Sequence, residues 1–333
     1  MLKKRLLSRT ALAAGLMLCA AFSSVAHADN YPSKPVRLVV GFAPGGPVDL
    51  GARLVAEHLT RELGQTFIVE NKPGANAAIA AMAVKSAPAD GYTAYVTSSS
   101  SITLNPHLFK NTIRYNPKAD FQPVATITEM PLILVINNNE PMFKDVKNLK
   151  DLVEVVRKNP SGKLAYGSAG IGNITQIAFE LLSSRAGIKM NHVPYKGTAD
   201  AQKAILAREV LMVFDSMSAI PHIKNGTLRP LAISSNRRIA ALPDVPTVQE
   251  QGFGDFDVAS WVGIFVPKAT PADVVQRLSQ KVLAAGKDPA VVARLSAVGP
   301  ILSLDAAAFS TKIDKESAEL LRVIETAGIK VQD

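Results

Sequence analysis

The chain has 333 residues, 47% of them hydrophobic and 20% charged, with 21 Gly and 21 Pro. That length accommodates two domains of ordinary size, and the composition excludes a disordered tail, a collagen-like repeat and a disulfide-stapled miniprotein. A single cysteine excludes an internal disulfide and a cysteine-built metal site, and the formal charge of +9 has to be read against the chain ends.

Lys3, Lys4, Arg5 and Arg9 precede an apolar run from Ala11 to Phe22, and Ala26-His27-Ala28 follows as a small-x-small site. This order predicts a secretory signal peptide over residues 1–28, cut after Ala28. The apolar run is too short to stay behind as a membrane span. Cys19 follows Leu18, where a lipoprotein signal requires a small residue, so the exported chain is expected to be unanchored. Without the leader, about +5 remains on 305 residues, and no cysteine remains. Lacking basic runs and aromatic–basic interleaving, that balance predicts no nucleic-acid partner. A cysteine-free exported chain predicts the bacterial periplasm.

Strand and helix signals then alternate. Val36 to Val40 is a β-branched run. Val48 to Leu63 carries apolar residues at the 3.6-residue period of an amphipathic helix, and Gly64 stands in the C-cap place. A strand is expected at Phe67 to Glu70, a small-residue helix at Ala77 to Lys85, and a strand at Tyr92 to Thr97. This βαβαβ order predicts a mostly parallel sheet with helices on its faces.

The same grammar restarts after Pro131. Strands are expected at Leu132 to Ile136, Lys163 to Tyr166, Val210 to Phe214 and Leu228 to Ser234. Helices are expected at Leu149 to Lys158, Ile174 to Ala186 and Ala199 to Ala207. Near the C-terminus Thr270-Pro271-Ala272-Asp273 predicts a helix capped by Thr270, and Asp305 predicts the cap of a last helix ending at Gly328. Two successive α/β units predict two domains.

The glycines carry the functional signal. Phe42-Ala43-Pro44-Gly45-Gly46-Pro47-Val48-Asp49 lies between a strand and a helix. A helix start has unpartnered N–H groups and partial positive charge, so glycines there let backbone alone hold an anion. A phosphate loop is excluded, because Pro47-Val48 stands where Lys and Ser/Thr are required. A tight turn without a ligand fits the same residues. Tyr166 to Gln176 repeats the pattern, with Asn173 a candidate N-cap and Gln176 its partner, and Thr198 is a candidate N-cap after Lys196-Gly197. Ser98, within Thr97 to Ser101, and Asp215 add polar groups at strand carboxyl ends, the edge where α/β sheets bind ligands.

No catalytic constellation appears. His58, His107, His192 and His222 are isolated and lack metal-ligand spacing, and Asp49 in a first helical turn is ordinary capping chemistry. No catalytic residue, metal or cofactor is expected, and a binding protein is favoured over an enzyme. The alternatives are a secreted hydrolase or transferase using the Gly-Gly loop as an oxyanion hole, for which no nucleophile–base pair is spaced, and a binding module for sensing.

These residues, together with Glu70-Asn71-Lys72-Pro73-Gly74-Ala75, Ala89-Asp90-Gly91-Tyr92-Thr93, Val193-Pro194-Tyr195-Lys196-Gly197, Leu242 to Gly252 and Trp261-Val262-Gly263, resemble the Bug-type extracytoplasmic solute receptors of tripartite tricarboxylate transport systems. The resemblance spans nearly the whole exported chain. It implies a two-domain periplasmic-binding-protein fold of type II, a flytrap with residues 29–130 plus 258–333 as one domain and 131–257 as the other. It also implies a monomer that captures a small carboxylate, such as a di- or tricarboxylate or an aromatic acid, and delivers it to a membrane permease. Carried over by position, Phe42, Ala43, Gly45 and Gly46 would face Ser168, Gly172, Asn173, Thr198 and Asp215 across the ligand. Val48 stands where many members have Thr or Ser, and Asn173 to Gln176 stands where Ser-x-x-His is common.

Overall fold

The computed structural model describes residues 31–159 and 164–329. The expected leader with its cleavage site lies outside them, as does Lys163. Two five-stranded sheets organise the chain, both within a unit that starts at Lys34.

The first sheet contains β1 (Val36–Val40), β2 (Phe67–Asn71), β3 (Thr93–Ser98), β4 (Phe121–Pro131) and β10 (Ala259–Pro267), in the order β2-β1-β3-β10-β4. The second contains β5 (Ile133–Asn137), β6 (Ala165–Ser168), β7 (Asn191–Pro194), β8 (Met212–Asp215) and β9 (Leu228–Ile233), in the order β7-β6-β8-β5-β9. In each, the first three strands of the order run parallel and the fourth runs antiparallel to both neighbours. Four of five strands therefore point one way. The reversed strand is the one on which the chain arrives from the other sheet, β5 on the way out and β10 on the way back. Both sheets thus share one topology without a sequence repeat.

Sequence patterning misses β4 and β10. Both are buried almost throughout, so they show no alternation, and each carries a strand-disfavoured residue, Pro123 and Gly263. They pair with register shifts between Val262 and Gly263 and between Ile264 and Phe265. Gly263 leaves room for the Phe309 ring: a Cβ there would stand 2.4 Å from Phe309 Cζ.

Helices cover both faces. Over the first sheet lie α1 (Pro47–Leu63), α2 (Ala78–Lys85), α6 (Ala272–Ala285), α7 (Pro289–Leu295) and α8 (Ala306–Ala327). Over the second lie α3 (Leu149–Lys158) and α4 (Ile174–Ala186) on one face and α5 (Thr198–Leu206) on the other. The α1 helix ends at Gly64 in the left-handed region, φ 69°, as the sequence predicts. Two expected caps sit one residue away. The N-cap of α6 is Pro271, and the Thr270 hydroxyl is buried without a hydrogen-bond partner among the described residues. Gly197 is the N-cap of α5, and Thr198 is its first helical residue.

The sheets are joined at Leu132 and again by residues 234–258. Ser234 ties these passages together. Its hydroxyl donates to Val258 O at 2.5 Å and accepts from Leu132 N–H at 2.8 Å, while its N–H donates to Leu132 O at 2.9 Å.

The α8 helix enters both cores: Phe309 and Ile313 pack with Trp261 and Phe265, and Leu320 and Ile324 join the cluster around Phe179 and Phe214. Between them Glu316 accepts from Trp261 Nε1 and Thr103 Oγ1, each at 2.8 Å. Burial pushes its carboxyl up to about 7, against the opposing pull of Lys312 and of those two hydrogen bonds. Folded Glu316 stays protonated where the unfolded chain, at 4.5, has ionised, so stability present below 4.5 is lost as pH rises through about 7. Urea melts at about pH 5 and about pH 8 are expected to show wild type losing up to about 3 kcal/mol more than Glu316→Gln over that interval. Equal losses would contradict this assignment.

Candidate functional site

A cavity of about 490 Å³ lies between the loops at the strand carboxyl ends of the two sheets. The first sheet contributes Phe42 to Val48 after β1, Ser98 at the end of β3 and Ser100 after it, Met130 at the end of β4, and Ser260 on β10. The second contributes Asn173 to Thr175, Gly197 to Ala199, and Ser216 after β8, with Leu132 at the crossing.

Two helices start at this cavity without a cap. Gly46 is the N-cap of α1 and Gly197 that of α5, and neither helix has a side-chain cap hydrogen bond. Their partial positive ends face the same space, one from each sheet. The third helix start is closed, because Asn173 caps α4 by accepting from Thr175 N–H at 3.1 Å. Its expected partner Gln176 reaches one residue further back, accepting from Gly172 N–H at 2.8 Å.

What holds the α1 start open is a carboxylate turned away from the cavity. Asp49, 1% exposed, accepts from Gly45 N–H at 2.9 Å, Arg53 Nε at 2.9 Å and Asn71 Nδ2 at 2.8 Å. Burial raises its carboxyl, but the hydrogen bonds from Arg53, Gly45 and Asn71 outweigh that and hold it below its ordinary range. Gly45 takes φ 82°, which fits glycine, and its N–H is spent on Asp49.

Ser98 and Ser100, residues 5% and 3% exposed, border the cavity, and their hydroxyls make no hydrogen bond among the described residues. Ser101 instead bonds Thr97 and Tyr95, and Ser99 bonds Ser260, fixing the buried turn over Ser100–Leu104.

Of the residues singled out from the sequence, Phe42, Ala43, Gly45, Gly46, Ser98, Asn173 and Thr198 line the cavity. Ser168, Gly172 and Asp215 do not. Gly172 lies against the side chains of Leu108 and Phe109, where a Cβ would stand 2.8 Å from Leu108 Cδ1. Asp215 is buried behind the wall and accepts from Gln202 Nε2 at 2.9 Å and Ser216 N–H at 2.7 Å; burial raises its carboxyl and these bonds oppose it.

Ser168 makes a contact that spacing does not reveal: its Oγ lies 2.6 Å from His192 Nε2, across the parallel β6–β7 pair. The serine is 1% exposed and exchanges hydrogen bonds with Gly170, accepting from its N–H and donating to its carbonyl at 3.1 Å each. This pair pins the glycine loop and stands outside the cavity. Met130, Leu132 and Ser260 line the cavity unannounced by the sequence, since they belong to the two unrecognised strands and the crossing between sheets.

Among the described residues no cluster of His, Cys, Asp and Glu suits a metal, and no helix is long and apolar enough to cross a membrane.

Comparison with known proteins adds a consistent set of likenesses. The model of the tripartite tricarboxylate transporter family receptor matches residues 51–329. A UPF0065 protein of Bordetella pertussis is 37% identical over 289 residues, covering 86% of each chain, and BugT of the same organism is 33% identical over 281 residues, covering 84% of this chain and 85% of that one. Among solved structures, an R. palustris protein with adipate is 30% identical at a TM-score of 0.81, covering 90% of this chain and 99% of that one. MatC from Rhodopseudomonas palustris with bound malate is 30% identical at 0.75, covering 88% and 100%.

Replacing Asp49 tests its role in shaping the loop. Asp49→Ala is expected to cost about 1–3 kcal/mol in urea melts, since it removes the charged acceptor shared by Gly45, Arg53 and Asn71. A carboxyl held low when folded gives stability that is present above the unfolded value, 3.8, and lost as pH falls through the folded one. The variant should therefore lose less stability than wild type on acidification below about pH 4.

Proposed function

The chain belongs to the tripartite tricarboxylate transporter family of receptors, and from that premise we propose that it is a periplasmic receptor that captures a small organic carboxylate and hands it on, unaltered, to a membrane permease. The family is one of solute receptors rather than enzymes. The observation that carries the ligand class is the meeting of two uncapped helix starts and two free, buried serine hydroxyls at one cavity. Two relatives of similar fold, solved with adipate and with malate, hold small dicarboxylates.

Magnitudes are adequate for this role. A helix terminus contributes about 0.3–2 kcal/mol to holding an anion, and a hydrogen bond to a charged group about 1.5–3 kcal/mol. A few such terms, less the dehydration of the carboxylate, suffice for binding near 1 μM, about −8 kcal/mol.

Residues 29–130 with 258–333 form one lobe in this reading, and 131–257 the other, with Leu320 and Ile324 at the end of α8 reaching across into the second lobe's core. Phe42, Ala43, Gly46 and Ser98 act from the first lobe, and Asn173 and Thr198 from the second. A carboxylate bridging helix starts on both lobes interacts better with a closed form than an open one, so it shifts the population toward closure. The closed monomer then presents a different surface to the permease. Nucleic acid plays no part.

Gly46→Asp separates binding from folding. A Cβ at Gly46 meets only Ala43 O, at 3.5 Å. Aspartate is also a better N-cap than glycine. The variant's own carboxylate would occupy the α1 start. Calorimetry with a panel of small carboxylates is expected to show roughly 100-fold or greater loss for whichever acid the wild type binds, with stability unchanged or raised by a few tenths of a kcal/mol. Unchanged affinity would refute the placement of the anion.

A further inference from the structure

We propose that the groove bounded by Ile79, Met82, Phe109, Ile113 and Ile171 is the surface on which the membrane permease docks, and that the permease enters it with an apolar segment flanked by aspartate or glutamate. This names the docking site for the receptor reading above and rests on it. The groove, about 630 Å³, is distinct from the cavity between the glycine loops and shares no lining residue with it.

Both sheets bring an exposed apolar side chain to this groove. Ile79 is 52% exposed and Ile171 49%, the two highest values among the large hydrophobic residues described. The first stands on α2, the second in the glycine loop that leads to α4. Single exposed apolar residues are ordinary, but a groove that gathers them marks an interaction surface. Contact between the lobes does not cover them. The Gly172 backbone already lies against Leu108 and Phe109, where a Cβ would stand 2.8 Å from Leu108 Cδ1, and Ile171 beside it is still half exposed.

The backbone beneath the groove is held in an unfavourable shape. Ala75, Asn76 and Ala77 take φ 47°, 48° and 69° in succession, the left-handed region that residues with a Cβ avoid. Buried partners enforce it. Asn105 Nδ2 donates to Asn76 O at 3.0 Å, Asn76 Nδ2 to Asn105 Oδ1 at 2.6 Å, and the Tyr95 hydroxyl to Ala77 O at 3.0 Å. Strain of this kind collects at working surfaces. Here it directly precedes α2 and sets the direction of the helix that carries Ile79 and Met82.

Charge at the rim states what the partner carries. Arg114 lines the groove and Lys110 stands exposed beside Phe109, and among the described residues neither pairs with an acid. The neighbouring Asp120 is committed: Lys85, which donates to Arg114 O at 3.0 Å, pairs with it at 2.9 Å. Among the described residues lining the groove there is no Asp or Glu. A second copy docking through the same face would set these cations against their own kind, and a bilayer surface does not fill a concave groove. An apolar segment with flanking carboxylates answers both features, its hydrophobic side chains supplying affinity and its charges orienting the encounter.

Photocrosslinking of the full chain in its native host decides the matter. p-Benzoylphenylalanine replaces Ile79, Ile171, Ile68 or Leu321, one at a time; the last two are exposed apolar residues outside the groove, on β2 and α8. Irradiated cells are expected to give adducts from Ile79 and Ile171 positions with a membrane-spanning subunit of the transporter, roughly tenfold or more above the other two. Mass spectrometry should map them to an apolar segment with Asp or Glu within a few residues. Arg114→Glu is expected to weaken the adduct from the Ile79 position by roughly fivefold or more, while its urea melt and its calorimetric titration with a panel of small carboxylates stay as in wild type. Adducts from the groove with lipid, with a second copy, within the same chain or with an acid-free segment would overturn this inference, as would an Arg114→Glu variant that crosslinks normally. Transporter adducts from the Ile68 or Leu321 position alone would overturn it and leave delivery to a permease standing. If none of the four positions reaches a transporter subunit, delivery to a permease falls and this inference falls with it, whereas carboxylate binding is read separately by the calorimetry.

Discussion

Everything at this site depends on helix starts being left unfinished. A helix normally satisfies its first N–H groups with a serine, threonine, asparagine or aspartate at the N-cap. Here α1 and α5 have glycine instead, while α4, α3 and α8 carry the usual Asn173, Asn148 and Asp305. α2 and α6 also start without a side-chain cap, at Ala77 and Pro271, but the two uncapped starts that border the cavity, α1 and α5, come from opposite sheets. Their unsatisfied positive ends are a standing electrostatic demand that a small anion can meet, and the carboxylate that could have met one of them internally, Asp49, is locked behind the loop. The cap has been omitted where a ligand can serve as one.

The sequence discloses this design unevenly. A glycine pair between a β-branched run and a 3.6-period stretch is visible at Gly45-Gly46, because backbone geometry and side-chain pattern coincide there. The α5 start is harder. Thr198 is chemically a good cap, and only the folded backbone shows it displaced one place into the helix, so that Gly197 occupies the cap position. Ser168 and Asp215 are polar residues at strand ends, which local reading assigns to the ligand, yet tertiary partners engage both, His192 through the neighbouring strand and Gln202 from α5. The floor of the cavity is the least legible part. Met130, Leu132 and Ser260 come from strands β4 and β10 and the passage between sheets, and buried strands have no alternating face to betray them.

The shared topology explains why the two uncapped starts face one another. Each sheet uses the order 2-1-3-n-4, with n the strand on which the chain arrives from its counterpart. The first βα loop of the first sheet and the βα loops of the second therefore open at the strand carboxyl ends beside the crossings. Ser234 fastens those crossings, linking Leu132 to Val258 through its hydroxyl and backbone. The place where the chain changes sheet is thus both the seam of the fold and the bottom of the cavity.

The last helix sets a condition on how this architecture comes apart. With Phe309 rooted in one hydrophobic cluster and Leu320 and Ile324 in the other, α8 cannot leave either without exposing apolar surface of both. Loosening either core therefore uncovers apolar surface on a helix that also serves the other. The carboxyl end of the polypeptide, remote in sequence from every glycine loop, is the staple that couples the two cores.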